Sequence, residues 1–176
     1  LLLTGDLTDS GQAADYALIA ALLDEQWPSG APDAPRVLAV AGNHDVRAAA
    51  HENLARAMPV APDAPADHIC LHAVHRGVHF IGLDTVVPKA PHGTLGTEQL
   101  DWLARQFKAC AGEPVVLFMH HPPLVSGLSA MDACGLLHGR AELGRLVAAH
   151  GGVQLIAAGH IHRPIVGQLG GAPVVV

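Results

Sequence analysis

Four short apolar stretches of this chain are each followed by side chains of the kind that bind metal ions. Each stretch has the length and composition of a buried β-strand, and open α/β sheets place their ligands beyond the carboxyl ends of such strands. A single histidine at such a place is more often a packing residue than a ligand, but four clusters at equivalent positions favour one shared site. The candidate side chains are Asp6, Asn43 and His44, His120 and His121, and His160 and His162.

Between the apolar stretches the hydrophobic periodicity predicts helices, so that strands and helices alternate along the chain. The sequence shows no internal repeat and no linker, and residues 1–176 are therefore predicted to form one α/β domain. The first helix is expected to begin after Ser10 and to end before Pro28. Its buried face is predicted from helical spacing to consist of Ala14, Leu18, Ala21 and Leu22.

The composition excludes several classes of protein. A net charge of −6 leaves no face rich in lysine and arginine for a nucleic-acid polymer. No apolar run reaches the roughly 18 residues that a membrane-spanning helix needs. The 3 cysteines show no Cys-x-x-Cys spacing, which favours reduced thiols and a cytoplasmic protein. Histidine is unusually frequent, with 13 residues against 10 of lysine and arginine together, and this directs attention to metal binding.

The candidate ligands offer oxygen and nitrogen atoms and no thiolate. This donor set suits Mn²⁺, Fe²⁺ or Fe³⁺, Co²⁺ and Zn²⁺, and it disfavours a structural zinc site built from cysteines. One carboxylate, that of Asp6, can bridge two cations by giving one oxygen to each. A pair of ions about 3.5–4 Å apart suits in-line displacement at phosphorus, because it activates a water and neutralises charge on the phosphoryl oxygens.

These stretches resemble the successive motifs of the calcineurin-like metallophosphoesterases, in that family's order. The motifs are Gly-Asp-Leu-Thr-Asp at 5–9, Gly-Asn-His-Asp at 42–45, His-His-Pro-Pro at 120–123 and Gly-His-Ile-His at 159–162. The run Gly-Thr-Leu-Gly-Thr-Glu-Gln-Leu-Asp-Trp-Leu at 93–103 is similar to the class III cyclic-nucleotide phosphodiesterase and glycerophosphodiesterase branch. The resemblance implies a four-layer α/β/β/α sandwich with two mixed β-sheets.

The resemblance also implies which residues bind metal ions. Asp6 would bridge two ions, and His162 would bind the first of them. The second ion would be bound, in addition to Asp6, by Asn43, His120 and His160.

Further implied roles concern the substrate. Asn43 and His44 would bind the substrate, and His44 would orient the phosphate and help to protonate the leaving oxygen. Asp45 would fix the tautomer of the His44 imidazole. His121 has two interpretations: it contacts the substrate, or it is a loop residue packed on the prolines that follow it.

The sequence departs from the family pattern at its start. The family's first motif, Asp-x-His, follows an earlier strand and supplies two ligands of the first metal, and this sequence lacks it. The first metal then keeps Asp6 and His162, and the sandwich apparently lacks its first strand. Two interpretations are open: the natural protein is longer at both ends, or the chain is a shortened homologue without activity.

The resemblance implies a hydrolase that cleaves small phosphodiesters, either 3',5'-cyclic nucleotides or glycerophosphodiesters, with two transition-metal ions as cofactors. One alternative is a phosphomonoesterase or protein phosphatase of the same family. A second alternative is an inactive homologue that binds metal or serves as a scaffold. The sequence is also compatible with a homodimer.

Overall fold

The computed structural model describes residues 1–28 and 36–176. The prolines and alanines of 27–35 predict a loop, and part of that segment lies outside the described residues. The helices are α1 (Ala13–Gln26), α2 (Arg47–Leu54), α3 (Thr97–Ala109), α4 (Ser129–Asp132) and α5 (Arg140–His150). The strands are β1 (Leu2–Thr4), β2 (Leu38–Val40), β3 (Leu71–His75), β4 (Val78–Leu83), β5 (Gly93–Thr94), β6 (Val115–Met119), β7 (Leu136–His138), β8 (Val153–Ala157), β9 (Val166–Leu169) and β10 (Ala172–Val175).

The larger sheet has six strands in the order β3-β4-β6-β8-β10-β9. Its four central strands run parallel, and the antiparallel hairpins β3–β4 and β9–β10 lie at its two edges, so the sheet is mixed as predicted. The central strand β6 reads as a continuous apolar run because both of its faces are covered. Along β6, Leu117 and Met119 face the helices, whereas Phe118 faces the smaller sheet.

The sheet that packs on the larger one, called the smaller sheet, pairs β1 with β2 in parallel, and a separate two-stranded sheet pairs β5 with β7. The apolar side chains on the two faces of the smaller sheet belong to different parts of the core. Leu38 and Val40 pack against the larger sheet, and Ala39 packs under α1 and α2. Helices α3 and α5 cover the outer face of the larger sheet. The predicted four-layer α/β/β/α order is therefore confirmed, but in the described residues the smaller sheet consists of two parallel strands and is not mixed.

The parallel register brings the ends of the motif strands to one edge of the molecule. Leu83 at the end of β4 lies beside Met119 at the end of β6, and Phe118 of β6 lies beside Ala157 of β8. In the smaller sheet, Thr4 at the end of β1 lies beside Val40 at the end of β2. The loops that follow these strands carry the predicted ligands, and so this edge positions the candidate site.

The predicted buried face of α1 is wrong. Leu18 is 61% exposed and Leu22 is 50% exposed. The buried residue of this helix is Tyr16, which packs with Ile19 and Leu23 on a neighbouring stripe. Two stripes of α1 carry apolar residues at helical spacing, and the stripe that contains Tyr16 is buried because its hydroxyl reaches a polar group in the interior.

The three cysteines are free, as their spacing predicted. Among the described helices, none combines the length and the apolar character required to cross a bilayer.

Candidate metal centre

Four of the predicted ligands meet around one nitrogen atom, Nε2 of His120. Its distance to Oδ1 of Asn43 is 3.0 Å, and its distance to Nδ1 of His160 is 3.1 Å. Oδ1 of Asp6 lies 3.3 Å from the same nitrogen. These residues come from loops after four different strands, and the sequence-based expectation that they converge agrees with this geometry.

The ligand atoms that surround Nε2 of His120 are mostly acceptors, and they are therefore poor hydrogen-bond partners for that nitrogen. Nδ1 of His120 lies 2.8 Å from the Thr4 carbonyl oxygen and can donate a proton there, which in a neutral ring leaves a lone pair on Nε2. The carboxylate of Asp6 and the amide oxygen of Asn43 are acceptors too. A cation between these atoms would remove the repulsion among their lone pairs.

The distances from Nε2 of His120 to its three neighbours suit neighbouring ligands of one cation. Neighbouring ligands of an octahedral ion with bonds of about 2.1 Å are about 3.0 Å apart, and those of a tetrahedral ion are about 3.4 Å apart. The observed distances of 3.0 to 3.3 Å fall in this range. These three contacts of His120 therefore fit the second metal of the predicted pair.

The pKa values of two of these groups suit metal binding at neutral pH. Burial raises the pKa of Asp6. A hydrogen bond from the His120 ring, the His44 backbone N–H and the charge that the His120 and His44 rings carry when protonated outweigh it and hold the pKa at about 2. Burial, followed by the charge of His120, lowers the pKa of His160. Both groups are consequently in their metal-binding forms, a carboxylate and a neutral imidazole.

The backbone is strained at three of the predicted ligands. Asp6, His160 and His162 have φ values of 50°, 73° and 56°, in the left-handed region that residues with a side chain rarely adopt. Such strain persists only where the surrounding structure enforces it, and it concentrates at functional sites. The strained backbone therefore supports a functional role for these loop positions.

The lack of space beside Asp6 explains why the second motif begins with a glycine, Gly42. A Cβ atom on Gly42 would lie 2.2 Å from the backbone nitrogen and from Oδ1 of Asp6. Only a residue without a side chain allows the β2 loop to approach Asp6 this closely.

The expectation that Asp45 orients the His44 ring is wrong. The Asp45 carboxylate is buried and accepts hydrogen bonds from the backbone N–H groups of Leu7 at 3.0 Å, Thr8 at 3.2 Å and Gly42 at 2.8 Å. It also accepts a hydrogen bond from the Tyr16 hydroxyl at 3.0 Å. Asp45 thus joins the loop that carries Asp6 to the loop that carries Asn43, since its oxygens are engaged by donors of both loops.

Asp9 occupies the position beside His44 that was expected for Asp45. Nδ1 of His44 lies 3.2 Å from the backbone carbonyl oxygen of Asp9 and 3.5 Å from its carboxylate. The backbone N–H of His44 donates to Oδ1 of Asp6 at 3.0 Å. The His44 side chain itself is 47% exposed, so that its ring stands at the solvent-facing rim of the centre.

The prediction that His121 contacts the substrate is wrong, because its side chain has no exposed surface. Its Nδ1 atom lies 2.8 Å from the Thr85 hydroxyl oxygen. Its ring packs against the rings of His120 and His160, with centroids 4.8 and 4.7 Å away. The three histidines place one ligand atom each within 4.8 Å of one another, and His121 forms the inner wall of the cluster.

The neutral His121 predicts an acid-sensitive fold. Burial, followed by the charges of His120 and His160, lowers its pKa from 6.5 to about 3. As the pH falls below 6.5, the unfolded chain binds a proton that the folded ring does not, so stability falls until about pH 3. Urea unfolding of the metal-free protein between about pH 7 and 4 should show this slope, and His121→Asn should flatten it. An equal slope in both proteins would contradict the assignment, and His75→Asn, on the exposed end of β3, is the control.

His162 lies at the exposed rim of the cluster. Its charge is close enough to contribute to lowering the pKa of His160. Binding of the first metal by His162 and the second oxygen of Asp6 stays a prediction.

Several residues around the centre were missed in the sequence. Asp84 and Thr85 follow β4 and are buried, at 1% and 0% exposure. The signal that could have found them is the one used for the other motifs, because they also directly follow an apolar strand. The supporting contacts of Thr4, Tyr16 and Arg47 had no such signal, since a backbone carbonyl and two helix side chains acquire their partners only by folding.

Comparison with known proteins agrees with this geometry. A family model of the calcineurin-like phosphoesterases matches residues 1–164. The chain belongs to this family. The motif order and the family's metal chemistry, which implies divalent ions, fit the donor set found around His120.

The chain is similar in sequence to curated phosphodiesterases. A cAMP/cGMP dual specificity phosphodiesterase of Mycobacterium tuberculosis is 35% identical over 174 residues, which are 99% of this chain and 52% of that protein. A probable glycerophosphodiester phosphodiesterase GpdQ of Arcobacter nitrofigilis is 32% identical over 167 residues, or 93% of this chain and 56% of that protein. The chain thus spans about half the length of the curated relatives it matches.

Solved structures show the same phosphoesterase fold. A dimetal phosphatase from Danio rerio superposes with a TM-score of 0.63 at 14% identity, over 80% of this chain and 59% of that one. A Thermus thermophilus protein superposes with a TM-score of 0.63 at 18% identity, over 99% of this chain and 74% of that one.

Proposed function

We propose that this chain is the catalytic part of a metal-dependent phosphodiesterase that acts on small phosphodiesters, with 3',5'-cyclic nucleotides first and glycerophosphodiesters second. The observation that carries the proposal is the convergence of Asp6, Asn43 and His160 on Nε2 of His120. The names of the relatives in the two classes supply the choice of substrates.

The metal chemistry is proposed as that of a two-ion centre. The second ion would be bound by Asp6, Asn43, His120 and His160, and the first by Asp6 and His162. Mn, Fe, Zn and Co are the proposed metals because the donors are oxygen and nitrogen. Bound ions would supply an activated water and neutralise the charge that grows on the phosphoryl oxygens.

His44 is proposed as the proton donor to the leaving oxygen. Its Nδ1 faces the Asp9 carbonyl, so a protonated ring keeps one proton there and directs the other, on Nε2, away from it. The Asp9 carboxylate at 3.5 Å can neutralise the positive charge of that ring. His44 is also held to the metal-binding loop by its backbone hydrogen bond to Asp6.

The substrate class is tested by comparing hydrolysis of cyclic AMP, glycerophosphocholine, bis-p-nitrophenyl phosphate and p-nitrophenyl phosphate after loading with Mn²⁺. Faster cleavage of the diesters supports the proposal. Faster cleavage of p-nitrophenyl phosphate would favour a phosphomonoesterase. Binding of Mn²⁺ without any turnover would favour the inactive, metal-binding homologue.

Replacing His44 by alanine should lower kcat for bis-p-nitrophenyl phosphate by about 100-fold, because general acid catalysis contributes roughly this much or more. The bound Mn²⁺ should be unchanged, since the side chain is not among the atoms around His120. Steady-state kinetics and metal analysis check both expectations, and His138→Ala, an exposed histidine of β7, is the control. Unchanged kcat in His44→Ala would refute the assignment.

A further inference from the structure

Two buried polar residues directly follow β4, at the same edge of the sheet where two histidines directly follow the neighbouring strand β6. Leu83 is in register with Met119, so Asp84 and Thr85 lie beside His120 and His121. Both are almost fully buried. Their position is that of metal ligands, yet their side chains are directed to other partners.

The Asp84 carboxylate is fully engaged by the protein. Arg47 donates to it from Nε at 2.5 Å and from Nη2 at 3.1 Å, and the backbone N–H groups of Ile69 and Val86 donate to it at 3.0 Å each. Arg47 also donates to the Val86 carbonyl. With these donors in place, Asp84 serves as an anchor for Arg47.

This ion pair joins the two sheets near the candidate site. Arg47 is the first residue of α2, and it lies three positions after His44 and four after Asn43. Asp84 extends the larger sheet, whereas Asn43 follows a strand of the smaller one. The facing sides of the two sheets pack through apolar side chains, which have no preferred direction of contact. The bidentate ion pair therefore adds a directional constraint, beside the hydrogen bond from His120 to the Thr4 carbonyl.

Thr85, the residue after Asp84, contacts His121. Its hydroxyl oxygen lies 2.8 Å from Nδ1 of His121 and accepts a hydrogen bond from the His121 backbone N–H at 3.3 Å. Its own carbonyl accepts a hydrogen bond from the backbone of Thr94 at 3.0 Å. Thr85 therefore fixes the plane of the His121 ring, which packs against the rings of His120 and His160.

We propose that Arg47, Asp84, Thr85 and His121 form a brace that positions Asn43 against His120 and His160 and so sets the affinity of the second metal site. These residues are positioning residues, since each acts on the ligands through another side chain or through the backbone. The inference rests on the proposed function only for its kinetic readout. Metal binding itself provides an independent measure.

The experiment titrates the metal-free protein with Mn²⁺ by calorimetry. Thr85→Val keeps the shape of the side chain and removes its hydroxyl, and it should weaken binding at the tighter site by about 10-fold, as loss of an orienting hydrogen bond does at metal sites. Thr85→Ser should restore wild-type affinity. Thr94→Val, on the adjoining strand β5, should bind as the wild type does.

Arg47→Lys gives a second, independent measurement, because it keeps the positive charge and loses the bidentate geometry. It should also weaken Mn²⁺ binding by about 10-fold. With bis-p-nitrophenyl phosphate at saturating Mn²⁺, both variants should keep the wild-type KM, since neither residue contacts the substrate. If Thr85→Val does not fold, Arg47→Lys decides the matter alone.

Wild-type affinity in Thr85→Val or Arg47→Lys would overturn the brace, and so would a Thr85→Ser protein that binds as weakly as Thr85→Val. A wild-type protein that binds Mn²⁺ but hydrolyses no diester would refute the proposed function, and the calorimetric test of the brace would still stand.

Discussion

Replacing His120 by alanine is expected to lower Mn²⁺ affinity and phosphodiester hydrolysis by at least about 100-fold. Loss of a group that only orients a metal ligand costs 10 to 100-fold, and here the ligand itself is removed. Its Nε2 lies within 3.0 to 3.3 Å of the ligand atoms of Asn43, His160 and Asp6. Calorimetric titration with Mn²⁺ and assays with bis-p-nitrophenyl phosphate measure the two effects.

Because His120 is buried, its loss can also weaken the fold. Asn43→Ala removes another ligand atom of the same ion from a half-buried position, and it should lower affinity in the same direction. His75→Ala, at the exposed end of β3, should leave both properties unchanged. Normal Mn²⁺ affinity in folded His120→Ala and Asn43→Ala proteins would disprove the proposed centre.

Replacing Asp45 by alanine is expected to lower the free energy of unfolding by roughly 4 kcal/mol. The change leaves the backbone N–H groups of Leu7, Thr8 and Gly42 and the Tyr16 hydroxyl without their acceptor. Each unsatisfied buried donor costs about 1–3 kcal/mol, and water that enters the space offsets part of the total. For a chain of this size the melting temperature should fall by about 8–16 °C in thermal unfolding followed by circular dichroism.

Asp101→Ala is the control for this effect, because Asp101 is an exposed aspartate on α3. It should change the melting temperature by no more than a surface substitution usually does, within about ±0.5 kcal/mol. A melting temperature of Asp45→Ala equal to that of Asp101→Ala would show that the four hydrogen bonds do not stabilise the connection between the two loops.

The predicted bounds of strands and helices agree with the structure where the ends of an apolar pattern are clear in the sequence. The apolar run at 78–83 predicts a strand, which is β4 as observed. The apolar spacing of Leu100, Leu103 and Phe107 predicts a helix at 98–110, which is α3 within one residue at each end. The prediction failed on α1, where Leu18 and Leu22 are exposed and Tyr16 is buried. Local periodicity offered two apolar stripes there, and the choice between them depended on Asp45, which is 29 residues away from Tyr16 in the sequence.

Similar reasoning explains the two corrected residues. Asp45 was assigned to His44 because the two are adjacent in sequence, but its carboxylate turns inward to donors from three separate segments. His121 was given an alternative role at the substrate because it adjoins His120. Successive residues at a strand end point in different directions, and Thr85 holds the His121 ring in the interior.

The sequence by itself determined the alternation of strands and helices, the ligand types and the places where they follow strands, because these depend on residue chemistry and local pattern. It also carried the ordered motifs that mark the family. The tertiary structure alone decided which side chains meet at His120, which ones face away, and how Arg47 and Asp84 join the two sheets. These contacts connect residues 35 or more positions apart, and the distances between such residues are set by the packing of whole layers and not by any local pattern.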